Sequence, residues 1–252
     1  MAHLVALMTD LKAGTASAPV TAEHVSLFMG SAQRPGLLDW PPALAFPALD
    51  MLRLVLLAPS AAPLISGSLI DRLVALLQPS AAGDPPDKAV SLMVMRAFAN
   101  LAYGPKTRKL LAGAASAVLD TLATPLESGS TGLRLAAGTV LLNMSSLLKD
   151  TSALAAQTAL SADATQLQAL SLCAHTFSVP ALLQPTEEET LYRVLVALST
   201  LLSLAATTHA TALDLDMPAT LRALELPPTA ATKVTAQREA LLATLGSPWS
   251  KH

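Results

Sequence analysis

The pattern of Met95-Arg-Ala-Phe-Ala-Asn-Leu101 recurs along the chain and indicates its architecture. Three other stretches align with residues 96–100: Asp50-Met-Leu-Arg-Leu54, Thr139-Val-Leu-Leu-Asn143 and Arg193-Val-Leu-Val-Ala197. Each begins with a polar residue and has a large apolar residue two places later. The starts lie 46, 43 and 54 residues apart, and helical repeats of this period are typical of armadillo and HEAT arrays. The repeat therefore predicts an all-α, armadillo- or HEAT-like solenoid of about five to six units.

The composition favours the same architecture. Hydrophobic residues make up 52% of the 252 residues and aromatic residues only 3%, so the apolar content is mainly Ala, Leu and Val. Ala and Leu are strong helix formers, and no stretch alternates β-branched or aromatic residues as a strand would. Clusters of Pro and Gly cut the chain into segments of helical length. The predicted helices are 2–13, 20–30, 42–58, 64–78, 87–102, 107–124, 130–149, 164–177, 187–206, 217–224 and 229–245.

Several local features refine these boundaries. Asp87 follows two prolines and is predicted to cap a helix, and Thr186 with Glu189 three residues later is predicted to form a capping box. The Ala-, Ser- and Thr-rich residues 151–165 are predicted to be a loop insertion, which explains the long third interval. Residues 194–213 are apolar at first but then polar, so a buried core helix is predicted there instead of a membrane span.

Charge and chemistry exclude several classes of function. The net charge is −2 and no basic stripe with interleaved aromatics occurs, so nucleic-acid binding is not expected. The single cysteine, Cys173, permits no disulfide within the chain and fits a reducing cytosol or nucleus. The five histidines have no metal-ligand spacing with Cys173. We therefore expect no catalytic residues, no metal, no cofactor and no enzymatic activity.

The repeat places polar side chains on one helical face. Residues four apart lie one turn above each other, so Arg96 with Asn100, and Thr139 with Asn143, are predicted to line a concave groove that Arg193 joins. An arginine can pair a carboxylate with two parallel bonds, and an amide can bond a peptide backbone. The pattern thus predicts a groove for an extended acidic peptide. Capping or inter-repeat structural roles for these residues stay open as the alternative.

The same stretches resemble a known family. The segment Trp40-Pro-Pro-Ala-Leu-Ala-Phe-Pro-Ala-Leu-Asp-Met-Leu-Arg-Leu54 resembles the start of the PUL domain, in which Trp-Pro precedes a Phe-Pro-x-Leu-Asp-x-x-Arg helix. Residues 95–101 resemble its Leu-Arg-x-Phe-x-Asn helix, and Leu141-Leu-Asn143 resembles a further inner helix. Residues 192–201 resemble its Arg-x-Leu-x-Ala-Leu-Gly-Thr-Leu segment. The likeness runs from about residue 38 to residue 202, and more loosely to the end.

The resemblance implies a fold, a partner and a set of residues. PUL domains are armadillo-like arrays whose basic groove takes the acidic, tyrosine-bearing C-terminal tail of the valosin-containing AAA ATPase, the ubiquitin-selective segregase. The resemblance implies that residues 1–35 are N-terminal helices of the solenoid and 36–252 the PUL-like array, within one continuous domain. Carried over to this sequence, it implies tail-binding cations and amides at Arg96, Asn100, Asn143 and Arg193, with Arg53 weaker because it lies off the inner column.

The expected role is a non-catalytic adaptor in ubiquitin-dependent protein turnover, cytoplasmic or nuclear, monomeric by itself and without membrane or nucleic-acid partners. Two alternatives stay open. The chain could be a helical scaffold that binds another protein through a surface outside the groove, or a regulatory domain of a thioredoxin-like or desumoylase-like enzyme. The first repeat also departs from the family pattern, because Asp50 and Leu54 stand where a cation or an amide is wanted.

Overall fold

The structure, a computed structural model, describes residues 9–10, 19–31, 33–80, 83–150, 159–226 and 232–248. Within these ranges the regular elements are helices, and the only strand-like feature is an isolated bridge between Ser31 and Arg34. The predicted all-α, solenoid-like fold is confirmed. The chain divides into two compact units, Met1–Ala114 and Ala115–His252. The boundary predicted between residues 35 and 36 stays a prediction.

Unit 1 is built around two packed helices, Pro42–Val55 and Lys88–Leu101. Its described helices are α1 (Ala22–Met29), α2 (Pro42–Val55), α3 (Gly67–Ala75), α4 (Lys88–Leu101) and α5 (Pro105–Gly113), with short 3₁₀ turns at Leu37–Asp39 and Ala62–Leu64. The cap predicted at Asp87 is confirmed: its Oδ1 accepts hydrogen bonds from the backbone N–H groups of Ala89 (2.8 Å) and Val90 (3.0 Å). Leu49, Leu52 and Phe98 are fully buried between the helices.

Unit 2 is built around two packed helices, Thr131–Lys149 and Glu188–Leu202. Its described helices are α6 (Ala115–Asp120), α7 (Ala123–Glu127), α8 (Thr131–Lys149), α9 (Ala159–Phe177), α10 (Glu188–Leu202), α11 (Ala206–Asp214), α12 (Met217–Ala223) and α13 (Thr232–Leu245), with 3₁₀ turns at Pro180–Leu183 and Pro185–Glu187. Gly138 lets α8 approach α10 closely, because a Cβ atom there would lie 3.3 Å from Cγ2 of Thr190. None of the helices in the described ranges is long and apolar enough to cross a membrane.

Several predicted boundaries are wrong. The helix predicted over 107–124 is three helices, α5 to α7, and α5 ends at Gly113, a residue that is weak in helices. The predicted loop over 151–165 is helical from Ala159 onward, and residues 151–158 lie outside the described residues. The single core helix predicted over 194–213 is two, because α10 ends at Leu202 and α11 begins at Ala206.

Buried polar residues lie on α11 and beside the predicted capping box. On α11, Thr208 and His209 are buried and bonded: the Thr208 hydroxyl donates to Oε1 of Gln166 (3.0 Å) and His209 Nε2 lies 3.2 Å from the Thr244 carbonyl oxygen. Thr186 does not cap α10. The N-cap residue is Glu187, which makes no side-chain cap bond because its carboxylate turns into the core.

A buried ion pair fastens the start of α10 to α8. Arg134 of α8 donates from Nη2 to Oε1 of Glu187 and from Nη1 to the Ser128 carbonyl, and the Thr190 hydroxyl donates to Oε2 of Glu187 (3.1 Å). The side chains of Arg134 and Glu187 are 6% and 0% exposed. Burial alone would raise the pKa of Glu187, but hydrogen bonds from Arg134, Thr131 and Thr190 and the Arg134 charge outweigh it and lower that pKa.

Glu187→Gln is expected to lower the free energy of unfolding by about 3–5 kcal/mol at pH 7, because it leaves the buried Arg134 charge unpaired. Since the pKa of Glu187 is lower in the folded than in the unfolded state, the pair stabilises fully above the unfolded value of about 4.3. That stability is lost as pH falls through the folded pKa. Urea denaturation from pH 7 to pH 3 would measure this as a difference between wild type and variant that shrinks below about pH 4.5.

The control for this experiment is the double variant Arg134→Met/Glu187→Leu. Replacing both members of a buried pair with apolar residues is often close to neutral, so this variant should recover most of the stability lost in Glu187→Gln. If Glu187→Gln unfolds like wild type at pH 7, the pair does not hold α10 to α8.

Cys173 lies on α9 and its side chain is fully buried, and this burial raises the pKa of its thiol to about 12. Since only the thiolate reacts with disulfide reagents, we expect native protein at pH 8 to be labelled at least about a hundredfold more slowly than protein unfolded in urea. Absorbance after addition of an aromatic disulfide would measure both rates. Equal rates would show that Cys173 is accessible in the folded chain.

Candidate functional site

The open face of α4 in unit 1 is cationic. Lys88 and Arg96 lie two helical turns apart, with the half-buried Leu92 midway between them, so the two cations share one side of the helix. Lys88 and Arg96 are exposed, and within the described ranges neither makes a hydrogen bond or an ion pair. The Arg96 guanidinium is therefore exposed and has no carboxylate partner within the described ranges.

Asn100, one turn after Arg96, has an inter-helix contact. Its Nδ2 donates to the backbone carbonyl oxygen of Arg53 at 2.6 Å, which joins the last turn of α4 to the last turn of α2. This is the inter-repeat role that the sequence left open for the amides. The remaining acceptor of the side chain, Oδ1, has no partner within the described residues.

Arg53 is paired within its own helix. Its Nε donates to Oδ1 of Asp50 at 2.7 Å, and the two side chains are 27% and 30% exposed. Because Asp50 matches the charge of Arg53 one to one, the pair adds little attraction for a second carboxylate. Asp50 thus explains physically why Arg53 is the weaker candidate of unit 1.

In unit 2 the structure brings together two positions that the repeat aligned, Thr139 and Arg193. Arg193 Nη1 donates to the Thr139 hydroxyl across the α8–α10 interface. That hydroxyl in turn donates to the Leu135 carbonyl (2.7 Å), so its lone pair is directed to the guanidinium. Arg193 Nε also donates to Oε1 of Glu189 at 3.0 Å. The Nη2 group has no partner within the described residues, and the side chain is 28% exposed.

Two contacts of α10 show that α8 and α10 run in the same direction. Glu187 and Arg193 of the α10 region bond Arg134 and Thr139 of α8, so residue numbers rise together along both helices. Asn143 lies one turn after Thr139 on α8 and is half-buried. This arrangement matches the stacking of equivalent helices that the repeat predicts.

Lys233 on α13 was missed by sequence reasoning. Its Nζ lies 2.5 Å from Oε2 of Glu189 and 4.7 Å from the centre of the Tyr192 ring. The repeat alignment ends before α13, so no pattern in the sequence connected Lys233 to Arg193. The hydrogen bond from Lys233 lowers the pKa of Glu189, opposed by desolvation and assisted by Arg193.

Arg53, Arg96 and Asn100 belong to unit 1, and Asn143 and Arg193 to unit 2. Each unit thus has an arginine on a helix that carries the repeated pattern. The prediction that all five residues line one groove stays a prediction. Within the described residues, no group of three or more His, Cys, Asp or Glu side chains could hold a metal ion.

Comparison with protein-family models assigns the chain to a family. The model of the PUL domain matches residues 1–237. The chain belongs to the PUL domain family. PUL domains are protein-binding domains. No curated protein sequence matches the chain.

A solved structure shares the fold of this PUL domain. The crystal structure of an engineered protein from a structural genomics consortium is similar with a TM-score of 0.61 and 18% sequence identity. The alignment covers 99% of this chain and 90% of that chain. At this identity the likeness supports the all-α fold alone.

Asn100 and Arg96 are expected to respond differently to substitution. Asn100→Asp keeps the side-chain shape but turns an oxygen towards the Arg53 carbonyl, so the free energy of unfolding should fall by about 1–3 kcal/mol. Arg96→Ala removes an exposed side chain without a partner in the described structure, so it should stay within about 0.5 kcal/mol of wild type. Urea denaturation of both variants at pH 7 would measure the difference, and equal stabilities would contradict an inter-helix role for Asn100.

Proposed function

We propose that this PUL domain binds the acidic C-terminal tail of the valosin-containing AAA ATPase, the ubiquitin-selective segregase, and so acts as an adaptor in ubiquitin-dependent protein turnover in the cytoplasm or nucleus. The observation that carries the proposal is Arg96, an exposed arginine with no internal partner in the described structure, on a helix that carries one of the family motifs.

Arg96 suits a carboxylate of such a tail. A guanidinium offers parallel N–H groups that match the two oxygens of a carboxylate. Lys88, two turns earlier on the same face of α4, adds a second positive charge without an internal partner in the described residues. Because the chain as a whole carries a net charge of −2, attraction for an acidic tail depends on such placed cations.

Arg193 suits the same ligand for a different reason. The Thr139 hydroxyl holds its guanidinium from the neighbouring helix, so part of the ordering cost is met before a ligand arrives. Its Nη2 group stays available for a carboxylate. Arg53 contributes less in this proposal, because Asp50 matches its charge one to one, whereas Arg193 shares the single carboxylate of Glu189 with Lys233.

The two asparagines supply polar contacts for the tail's backbone in the proposal. Asn100 uses its N–H₂ group on Arg53, so it offers an acceptor, Oδ1, to a peptide N–H. Asn143 is half-buried one turn after Thr139, on the same side of α8. Such hydrogen bonds would position the peptide backbone relative to the two arginines, and they would not depend on the side chains of the tail.

A direct titration tests the proposal. We expect Arg96→Ala/Arg193→Ala to weaken binding of a fluorescein-labelled tail peptide by at least about tenfold, because charge-assisted hydrogen bonds contribute about 1.5–3 kcal/mol each and about 1.4 kcal/mol is tenfold in affinity. Fluorescence anisotropy would measure binding, and raising the salt concentration should weaken the wild-type complex, since these cations reach solvent.

The matched control is Lys109→Ala/Arg222→Ala. It removes one exposed cation from each unit, and neither has a partner within the described residues, so the net charge changes equally. The control should bind like wild type. Equal losses in both double variants would show that bulk charge, and not Arg96 and Arg193, attracts the tail; absence of binding by wild type would reject the proposed partner.

A further inference from the structure

The side chain of Glu189 occupies the place between two cations that come from distant parts of the chain. Its Oε1 accepts from Arg193 Nε at 3.0 Å and its Oε2 lies 2.5 Å from Lys233 Nζ. Arg193 is one turn away on α10, whereas Lys233 is on α13, 44 residues later. One carboxylate is thus held by both of its oxygens, as a carboxylate of a bound acidic peptide would be.

We propose that Arg193 and Lys233 form a two-cation site for a carboxylate of an acidic peptide, and that Glu189 is its built-in competitor, which the peptide displaces on binding. The inference rests on the proposed function and extends it by a residue, Lys233, and by a regulating residue, Glu189. The ring of Tyr192, 4.7 Å from Lys233 Nζ, gives the lysine a second contact that persists when Glu189 moves away.

The exposure of the three side chains makes displacement feasible. Glu189 is 44% exposed, Lys233 46% and Arg193 28%. Ion pairs at this exposure contribute little to stability, because water solvates both charges well. The contrast at the start of the same helix is Glu187, whose buried carboxylate is 0% exposed and is held by Arg134. Glu187 therefore stabilises the contact between α10 and α8. The side chain of Glu189 can instead rotate into solvent, so that a ligand can bind Arg193 and Lys233 in its place.

The position of Glu189 between the two cations also lowers their affinity for a carboxylate. An approaching carboxylate meets a cation pair whose charge Glu189 already reduces, so the wild-type site attracts it less than two bare cations would. The Nη2 group of Arg193, which has no partner in the described residues, gives the ligand a first contact before Glu189 leaves. Glu189 thus sets a threshold of negative charge: a tail with several acidic residues can displace it, and a single carboxylate in solution competes poorly.

Removal of the competitor tests the inference. Glu189→Gln should tighten binding of the acidic tail peptide about three- to fivefold at low salt, which is the effect of an exposed ion pair expressed as an affinity. The gain should shrink as salt screens the uncovered cations. Glu225→Gln, an exposed glutamate of unit 2 without a partner in the described residues, removes the same charge elsewhere and should leave the affinity unchanged.

The role of Lys233 as the second cation is tested in the Glu189→Gln variant. Glu189→Gln/Lys233→Gln should lose most of the gain, whereas Glu189→Gln/Arg222→Gln should keep it. Retention of the gain without Lys233 would overturn its role as the second cation. If wild type binds the peptide and Glu189→Gln binds equally or more weakly, the competitor role is wrong and the proposed function stands. If neither binds the peptide, the proposed function and the inference both fall.

Discussion

The stacking of equivalent helices is the constraint on which the rest of each unit depends. A single repeat cannot bury the apolar face of its own helices, so the helix of one repeat must lie against the helix of the next. Within unit 2 this is the α8–α10 interface, where Gly138 permits close approach and Arg134 reaches the buried Glu187. Polar residues at such an interface must find partners there, because an unpaired buried group costs about 1–3 kcal/mol.

That constraint divides the aligned polar residues into two kinds. Asn100 and Arg193 reach across to the neighbouring helix, Asn100 to the Arg53 carbonyl and Arg193 to the Thr139 hydroxyl, so each stabilises the stack and limits its own freedom. Arg96 makes no such contact within the described residues. The side chains of Asn100 and Arg193 are therefore already ordered by the fold. The side chain of Arg96 would have to be ordered by a ligand.

The sequence was informative where a pattern reflects local geometry. The spacing of the repeats predicted the all-α stack and placed Thr139 and Arg193 in equivalent positions, and the proline-flanked Asp87 predicted a real cap. The sequence was not informative where a residue's role depends on its burial or on a contact with a distant part of the chain. The Thr186 capping box was wrong because Arg134, 53 residues away, draws Glu187 into the core. Lys233 was missed because nothing in its own helix reveals that it meets Glu189.

Two glutamates at the start of α10 differ in their environment. Glu187 and Glu189 are two residues apart, so they point to different sides of the chain. One carboxylate is buried, where a paired arginine makes it part of the core, and the other is half exposed, where its cations also reach water. Since burial strengthens an ion pair against competition and exposure weakens it, the same residue type stabilises the fold at position 187 and, in our proposal, gives way to a ligand at position 189.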